Sequence, residues 1–222
     1  MDPHEFERKY TDEEIRRDLE EQRRLYRQNQ IRECKESYFG PRNRYATLSK
    51  IRFGSGAVMD KVYRRIQSFI AKPKGFLIIT SPPGKGKTYL CSALTDFMME
   101  KGYDVYGITE RDFRERMRRT MESGGEYHRA IKLICDHQFL IYDDLGSTGE
   151  GPTNFREETT LALIDERYEM ALPTIFTSNI APHEFSKYFG ARAASRLRDK
   201  ENTIIELPDE AIDFRAEGIN HS

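Results

Sequence analysis

The chain has 222 residues, 36 basic against 37 acidic side chains and 37% hydrophobic residues. That length suits one domain with an appendage, and the net charge of −1 excludes a globally basic nucleic-acid binder, so that any such binding rests on a local patch. Three widely spaced cysteines (Cys34, Cys91, Cys135) with no CxxC pair exclude a disulfide framework or zinc knuckle. The acidic, polar start is unlike a signal peptide and no apolar run approaches the roughly 18 residues of a membrane span, so the expectation is a soluble cytoplasmic chain with reduced thiols.

Residues 1–49 are crowded with Arg, Glu and Gln. Thr11–Glu14 (TDEE) reads as a helix start, with a capping Thr and acids in the first turn. Ile15, Leu19 and Tyr26, with Leu25 beside them, form an apolar stripe too thin for a core, which either stays solvated or seeks a second surface. Phe39–Arg44 (FGPRNR) is a breaker cluster and reads as a linker. A separate domain is expected over 50–222. There, Val58, Val62, Ile66, Phe69 and Ile70 predict an amphipathic helix ending at Lys72–Gly75 (KPKG), and Phe76–Thr80 (FLIIT) predicts a buried strand. Further strands are expected at Val105–Ile108, Phe139–Tyr142, Thr174–Thr177 and Thr203–Leu207. Helices are expected between them at 87–101, 110–121, 126–136, 155–171 and 191–199. Strands alternating with helices imply an α/β fold, a parallel five-stranded sheet with helices on both faces.

The first strand runs into Ser81–Thr88 (SPPGKGKT), which opens a helix. Apart from Ser81 in place of the first Gly, it matches GxxxxGK[ST], the phosphate-binding P-loop. Gly84 and Gly86 let the backbone curl so that N–H groups converge on phosphate oxygens, and the following helix N-terminus adds positive potential. Lys87 is placed to reach the β- and γ-phosphates of ATP, and Thr88 to ligate Mg²⁺. The expected nucleotide-contacting set is Pro83, Gly84, Lys85, Gly86, Lys87, Thr88 and Tyr89. The strand ending in Asp143 and Asp144 puts two carboxylates at the C-terminal sheet edge, where α/β sheets bind ligands. Asp143 is expected to hold the magnesium, directly or through water, and Asp144 to accept a proton from the attacking water or to orient it. Asn179 closes the fourth expected strand and is read as a water-positioning residue, against the alternative of a helix cap or Asx turn. In Gly190–Leu197 (GARAASRL), Arg192 and Arg196 lie four apart on one helix face. One of them can serve a neighbouring subunit's γ-phosphate, or both can be surface arginines.

SPPGKGKT, YDDLG, FTSN and GARAASRL, in that order and spacing, resemble the AAA+ ATPases of the bacterial helicase-loader type (DnaC/DnaI) and their transposition relative IstB. The resemblance covers roughly residues 50–215. It implies an AAA+ core without a C-terminal lid, preceded by a helical arm. It further implies that Lys87 and Thr88 are Walker A, Asp143 and Asp144 Walker B, Asn179 sensor 1, Arg196 the arginine finger acting in trans, and Arg215 the sensor 2 arginine. Asp144 departs from the Glu more general in AAA+ proteins.

In such loaders the helix after the second strand helps bind single-stranded DNA. Here Phe113, Met117 and Met121 are expected to pack inward. Arg111, Arg114 and Arg118 form an adjacent row that could track a phosphate backbone, or a solvated face balanced by Glu110, Asp112 and Glu115. Phe155 is placed either to stack a base or to anchor the following helix. The function implied is ATP-dependent loading of a hexameric replicative helicase onto single-stranded DNA, with self-association through the ATPase domain and the arm gripping the helicase. The alternative is an IstB-like ATPase assisting a transposase on duplex DNA. A small-molecule kinase and a non-hydrolysing ATP-switched adaptor are the readings from other classes.

Overall fold

Five apolar segments build one parallel sheet: β1 (Phe76–Thr80), β2 (Val105–Thr109), β3 (Phe139–Leu145), β4 (Thr174–Ser178) and β5 (Thr203–Glu206), in the order β2-β3-β4-β1-β5. The structure is a computed structural model that describes residues 11–51, 57–147 and 154–207. The three inner strands, β3, β4 and β1, are buried on both faces, because their side chains alternate between two cores. Phe76 and Ile78 of β1, Leu140 and Tyr142 of β3 and Phe176 of β4 face one core. That core is completed by α4 (Glu110–Glu122), α5 (Tyr127–Cys135), α6 (Asn154–Glu169) and α7 (Phe185–Leu197). Leu77, Ile79, Phe139, Ile141 and Ile175 face the other, under α2 (Ala57–Ala71) and α3 (Lys87–Glu100). The expected α/β fold is therefore the one observed.

Arg167 of α6 is fully buried, with no carboxylate paired to it among the described residues. Its guanidinium donates to the carbonyls of Cys135, His137 and Pro173 and to Thr174 Oγ1 at 2.5–2.8 Å. The charge is thus spread over backbone dipoles where β3 and β4 begin, and burial lowers its pKa to about 10.

The long helix α1 (Asp12–Phe39) opens with the expected capping box, Thr11 accepting from the Glu14 N–H while the Glu14 carboxylate receives the Thr11 N–H. Residues 13–30 are exposed, Ile15, Leu19, Leu25 and Tyr26 included. The last part of α1 is different. Ile31, Lys35 and Phe39 are buried at a four-residue repeat, the period of one helix face. Gly107 of β2 leaves room for Tyr38 and Phe39 to lie against the sheet. Lys35 Nζ donates to the Ala46 carbonyl (2.5 Å) and to Asp96 Oδ1 on α3 (3.1 Å). Burial lowers its pKa, and Asp96 opposes that.

Phe39–Arg44 is therefore not a free linker. Gly40, at φ +79, ends α1, and the chain turns through a 3₁₀ segment, Pro41–Asn43. It runs back along α3, where Ser92 Oγ donates to the Asn43 carbonyl. Burial on α1 begins at Ile31, and the helix continues unbroken from its exposed stretch onto the core.

Candidate nucleotide-binding site

The P-loop leaves β1 and enters α3 through Gly84 (φ +90) and Gly86 (φ +77), both left-handed. Only glycine takes this conformation without a steric penalty. Lys87 begins α3 and is 5% exposed. Its ammonium donates to the Ser81 carbonyl (2.8 Å), Ser81 Oγ (3.1 Å), the Pro82 carbonyl (3.1 Å) and Asn179 Oδ1 (2.6 Å). The loop thus gathers a cation and a strand-end amide around its concavity. Pro83 is exposed; Gly84, Lys85 and Gly86 are half-buried. The Tyr89 ring turns away from the loop into a cluster with Ala46 and Ala93. Its backbone remains the part able to serve a ligand.

Thr88 and Asp143 meet across the gap between α3 and β3: Thr88 Oγ1 donates to Asp143 Oδ2 at 2.8 Å. Thr177 Oγ1 donates to Asp143 Oδ1 at 2.5 Å, and Cys91 Sγ lies 3.7 Å from the same oxygen. Asp143 is 1% exposed. Burial pushes its carboxyl above the ordinary carboxylate range, Asp144 beside it adds to that, and the hydroxyls of Thr177 and Thr88 oppose it. A buried acid with a raised pKa, hydrogen-bonded to the P-loop hydroxyl, fits a divalent cation. A cation would offset the desolvation cost of the charged form.

A bulge makes the next position. Between Tyr142↔Phe176 and Leu145↔Ser178, β3 has one residue more than β4, and Asp144 takes φ +62 there. Its N–H donates to Thr177 Oγ1 (2.9 Å). The bulge re-aims the acid at the sheet edge, as such insertions do beside functional sites. Gly146 follows at φ +86, where a Cβ would sit 2.2 Å from Ile180 Cδ1.

Three other groups of candidates lie elsewhere. Arg192 and Arg196 both bind Asp165 of α6 at 2.8 Å; Arg192 is 64% exposed at the side chain and Arg196 17%. Arg196 also reaches Glu169 and lies over the Tyr168 ring, so its contacts in the structure are with α6 of its own chain. Helix α7 begins at Phe185, earlier than the expected 191, with a break at Gly190 (φ +77).

On α4, Phe113 and Met117 pack inward as expected, but Met121, in the last turn, is 48% exposed. Arg118 is paired with Glu115 and Glu122, and Arg111 with Asp112. Arg114 is half-buried. Glu110, expected on the solvated face, is instead fully buried and accepts the Gly146 N–H. Phe155 stands in the first turn of α6, half-buried against the core with Tyr127 at a centroid distance of 6.3 Å. Arg215 lies outside the described residues.

Known proteins share this architecture. The family model described as "IstB-like ATP binding protein" matches residues 17–200. The replicative helicase loader DnaC of Escherichia coli K12 is 24% identical over 146 residues, 65% of this chain and 58% of that protein. The loader DnaI of Bacillus subtilis is 25% identical over 107 residues, 48% of this chain and 33% of that protein. The chain thus matches little more than half the length of the first relative and a third of the second.

Among solved structures, the DnaC helicase loader superposes with a TM-score of 0.64 at 22% identity, covering 73% of this chain and 97% of that one. AMPPCP-bound DnaA from Aquifex aeolicus gives 0.64 at 18%, covering 77% and 52%. At these identities the likeness is one of fold. With the P-loop in place and most of its length matched by the family model, the chain belongs to the IstB-like ATP-binding proteins.

Proposed function

We propose that the chain is a magnesium-dependent ATPase that places a replicative helicase on single-stranded DNA. The observation that carries the chemistry is the pair of side-chain bonds spanning the C-terminal edge of the sheet. Lys87 reaches Asn179 at 2.6 Å and Thr88 reaches Asp143 at 2.8 Å. The P-loop cation, the proposed magnesium ligands and the proposed γ-phosphate sensor thereby meet along one sheet edge.

In this reading the N–H groups from Pro83 to Tyr89 bind phosphate oxygens, and Lys87 exchanges loop carbonyls for the phosphates. Thr88 and Asp143 hold Mg²⁺, which when bound neutralises charge on the phosphate oxygens. Asp144 and Asn179 orient the attacking water, and Arg215 contacts the nucleotide. Arg196 serves the neighbouring subunit's ATP, and an assembly has to compete with Asp165 for it. A donated arginine can be worth about 10³–10⁵ in rate. Arg111, Arg114, Arg118 and Phe155 are the proposed DNA contacts. The exposed stretch of α1 is the proposed grip on a hexameric helicase, since a 13–30 surface carrying Ile15, Leu19, Leu25 and Tyr26 gains by burial against a partner.

The loader reading is supported by DnaC and DnaI, both named replicative helicase loaders. The name of the matching family model favours a second reading, an IstB-like ATPase working with a transposase on duplex DNA. Affinity capture from host extract with the full chain and Mg-ATP separates them. The expected catch is a replicative helicase, lost when residues 1–30 are removed. Recovery of a transposase without helicase would decide for the second reading.

A further inference from the structure

A buried carboxylate unused by the roles above stands where the nucleotide site meets α4. Glu110, the first residue of α4, is 0% exposed, and its carboxylate accepts the Gly146 N–H. Gly146 belongs to the turn that sets Asp144. Ser147 N–H closes that turn on the Asp144 carbonyl at 2.9 Å, with Gly146 at φ +86 in its third position, the conformation a type II turn reserves for glycine.

The turn is held from two sides. On the β4 side, Thr177 Oγ1 receives the Asp144 N–H at 2.9 Å and Ser178 Oγ donates to the Leu145 carbonyl at 2.6 Å. On the α4 side stands Glu110. Asp144 itself is a non-glycine residue at φ +62, a conformation that persists only where its surroundings fix it. A charge-assisted bond to a backbone N–H is among the stronger such restraints.

We propose that Glu110 is a positioning residue. By holding the Gly146 N–H it keeps Asp144 left-handed and its carboxylate at the sheet edge. This rests on the reading of Asp144 as the water-orienting acid. It gives α4, which carries the proposed DNA-contacting arginines, a direct bond to the turn of that acid.

Two substitutions test it in the full chain. Glu110→Gln keeps a carbonyl acceptor for the N–H; Glu110→Ala removes it. In the nucleotide-free protein, hydrogen exchange at residues 144–147 is expected to quicken roughly tenfold or more in E110A, with β1 and β5 unchanged, and to stay near wild type in E110Q. With Mg-ATP, kcat is expected to fall roughly tenfold in E110A with KM held, and to be largely retained in E110Q. Unchanged exchange in E110A, quickening spread equally over β1 and β5, a change confined to KM, or E110Q behaving like E110A would each overturn the proposal. If the wild type turns over no more ATP than Lys87→Ala, the ATPase reading fails instead, while the exchange comparison still reports on Glu110.

Discussion

Asp143 is buried among Thr88, Cys91 and Thr177, and burial raises its pKa. The folded protein therefore binds this proton more tightly than the unfolded chain does. The resulting stability is full below the ordinary aspartate value of about 4 and is lost as pH rises through the raised folded value. At neutral pH the ionised side chain weakens the ligand-free fold. Asp143→Asn is accordingly expected to raise the melting temperature of the nucleotide-free protein by about 2–4 °C at pH 7. The gain should shrink as the pH is lowered toward 4, and Mg²⁺-dependent ATP binding should be abolished. Melting curves across pH, by calorimetry, read the first effect; a variant no more stable than wild type at pH 7 would remove the basis for it.

The same residue shows what motif reading reaches. Lys87, Thr88 and the paired acids are legible because loop glycines and strand ends tie residue type to place. Glu110 was not, since an acid opening a helix reads as a solvated first-turn residue, and nothing local reveals the Gly146 N–H 36 positions away. Nor does the sequence around Arg196 reveal its ion pair with Asp165, which lies on another helix.

Among the elements, the join between α1 and the core has the most to say. Strand and helix positions followed from apolar runs and periodicity, often to within a residue, because a sheet buried on both faces writes itself as continuous hydrophobic segments. The docked end of α1 hid because its middle anchor is Lys35, whose buried role depends on Asp96 and a backbone carbonyl far along the chain. The strap after it buttresses the P-loop helix: Ser92 bonds Asn43, and Tyr89 packs on Ala46. Gly107→Ala probes this join without touching the P-loop, since its Cβ would fall 2.6 Å from Tyr38 Cδ2 and 2.9 Å from Phe39 Cζ. The expected outcome is about 1–3 kcal/mol of destabilisation in urea titrations. Exchange should be faster over residues 31–47, with the sheet still protected. Unaltered exchange there would mean that α1 does not depend on β2 for its seat.

At the scale of the whole molecule, the sheet order β2-β3-β4-β1-β5 brings the ends of β1, β3 and β4 side by side, and with them the P-loop, the paired acids and Asn179. Sequence order alone separates these groups by up to 92 residues; the parallel topology is what makes them one site. Apart from the α4 row proposed for DNA, two outward surfaces are those proposed for protein partners: the charged, sparsely apolar stretch of α1 and the α6–α7 face carrying Arg192 and Arg196. Neither names its partner by itself, which is why motifs gave the chemistry more fully than the biology. Titration calorimetry of ATP into the full chain, with and without Mg²⁺, tests the central claim most directly. Wild type is expected to bind ATP and to bind it more tightly with Mg²⁺; Thr88→Ala should lose the Mg²⁺ enhancement, and Lys87→Ala should lose most of the affinity. No heat of binding, or affinity indifferent to Mg²⁺ and to both substitutions, would contradict it.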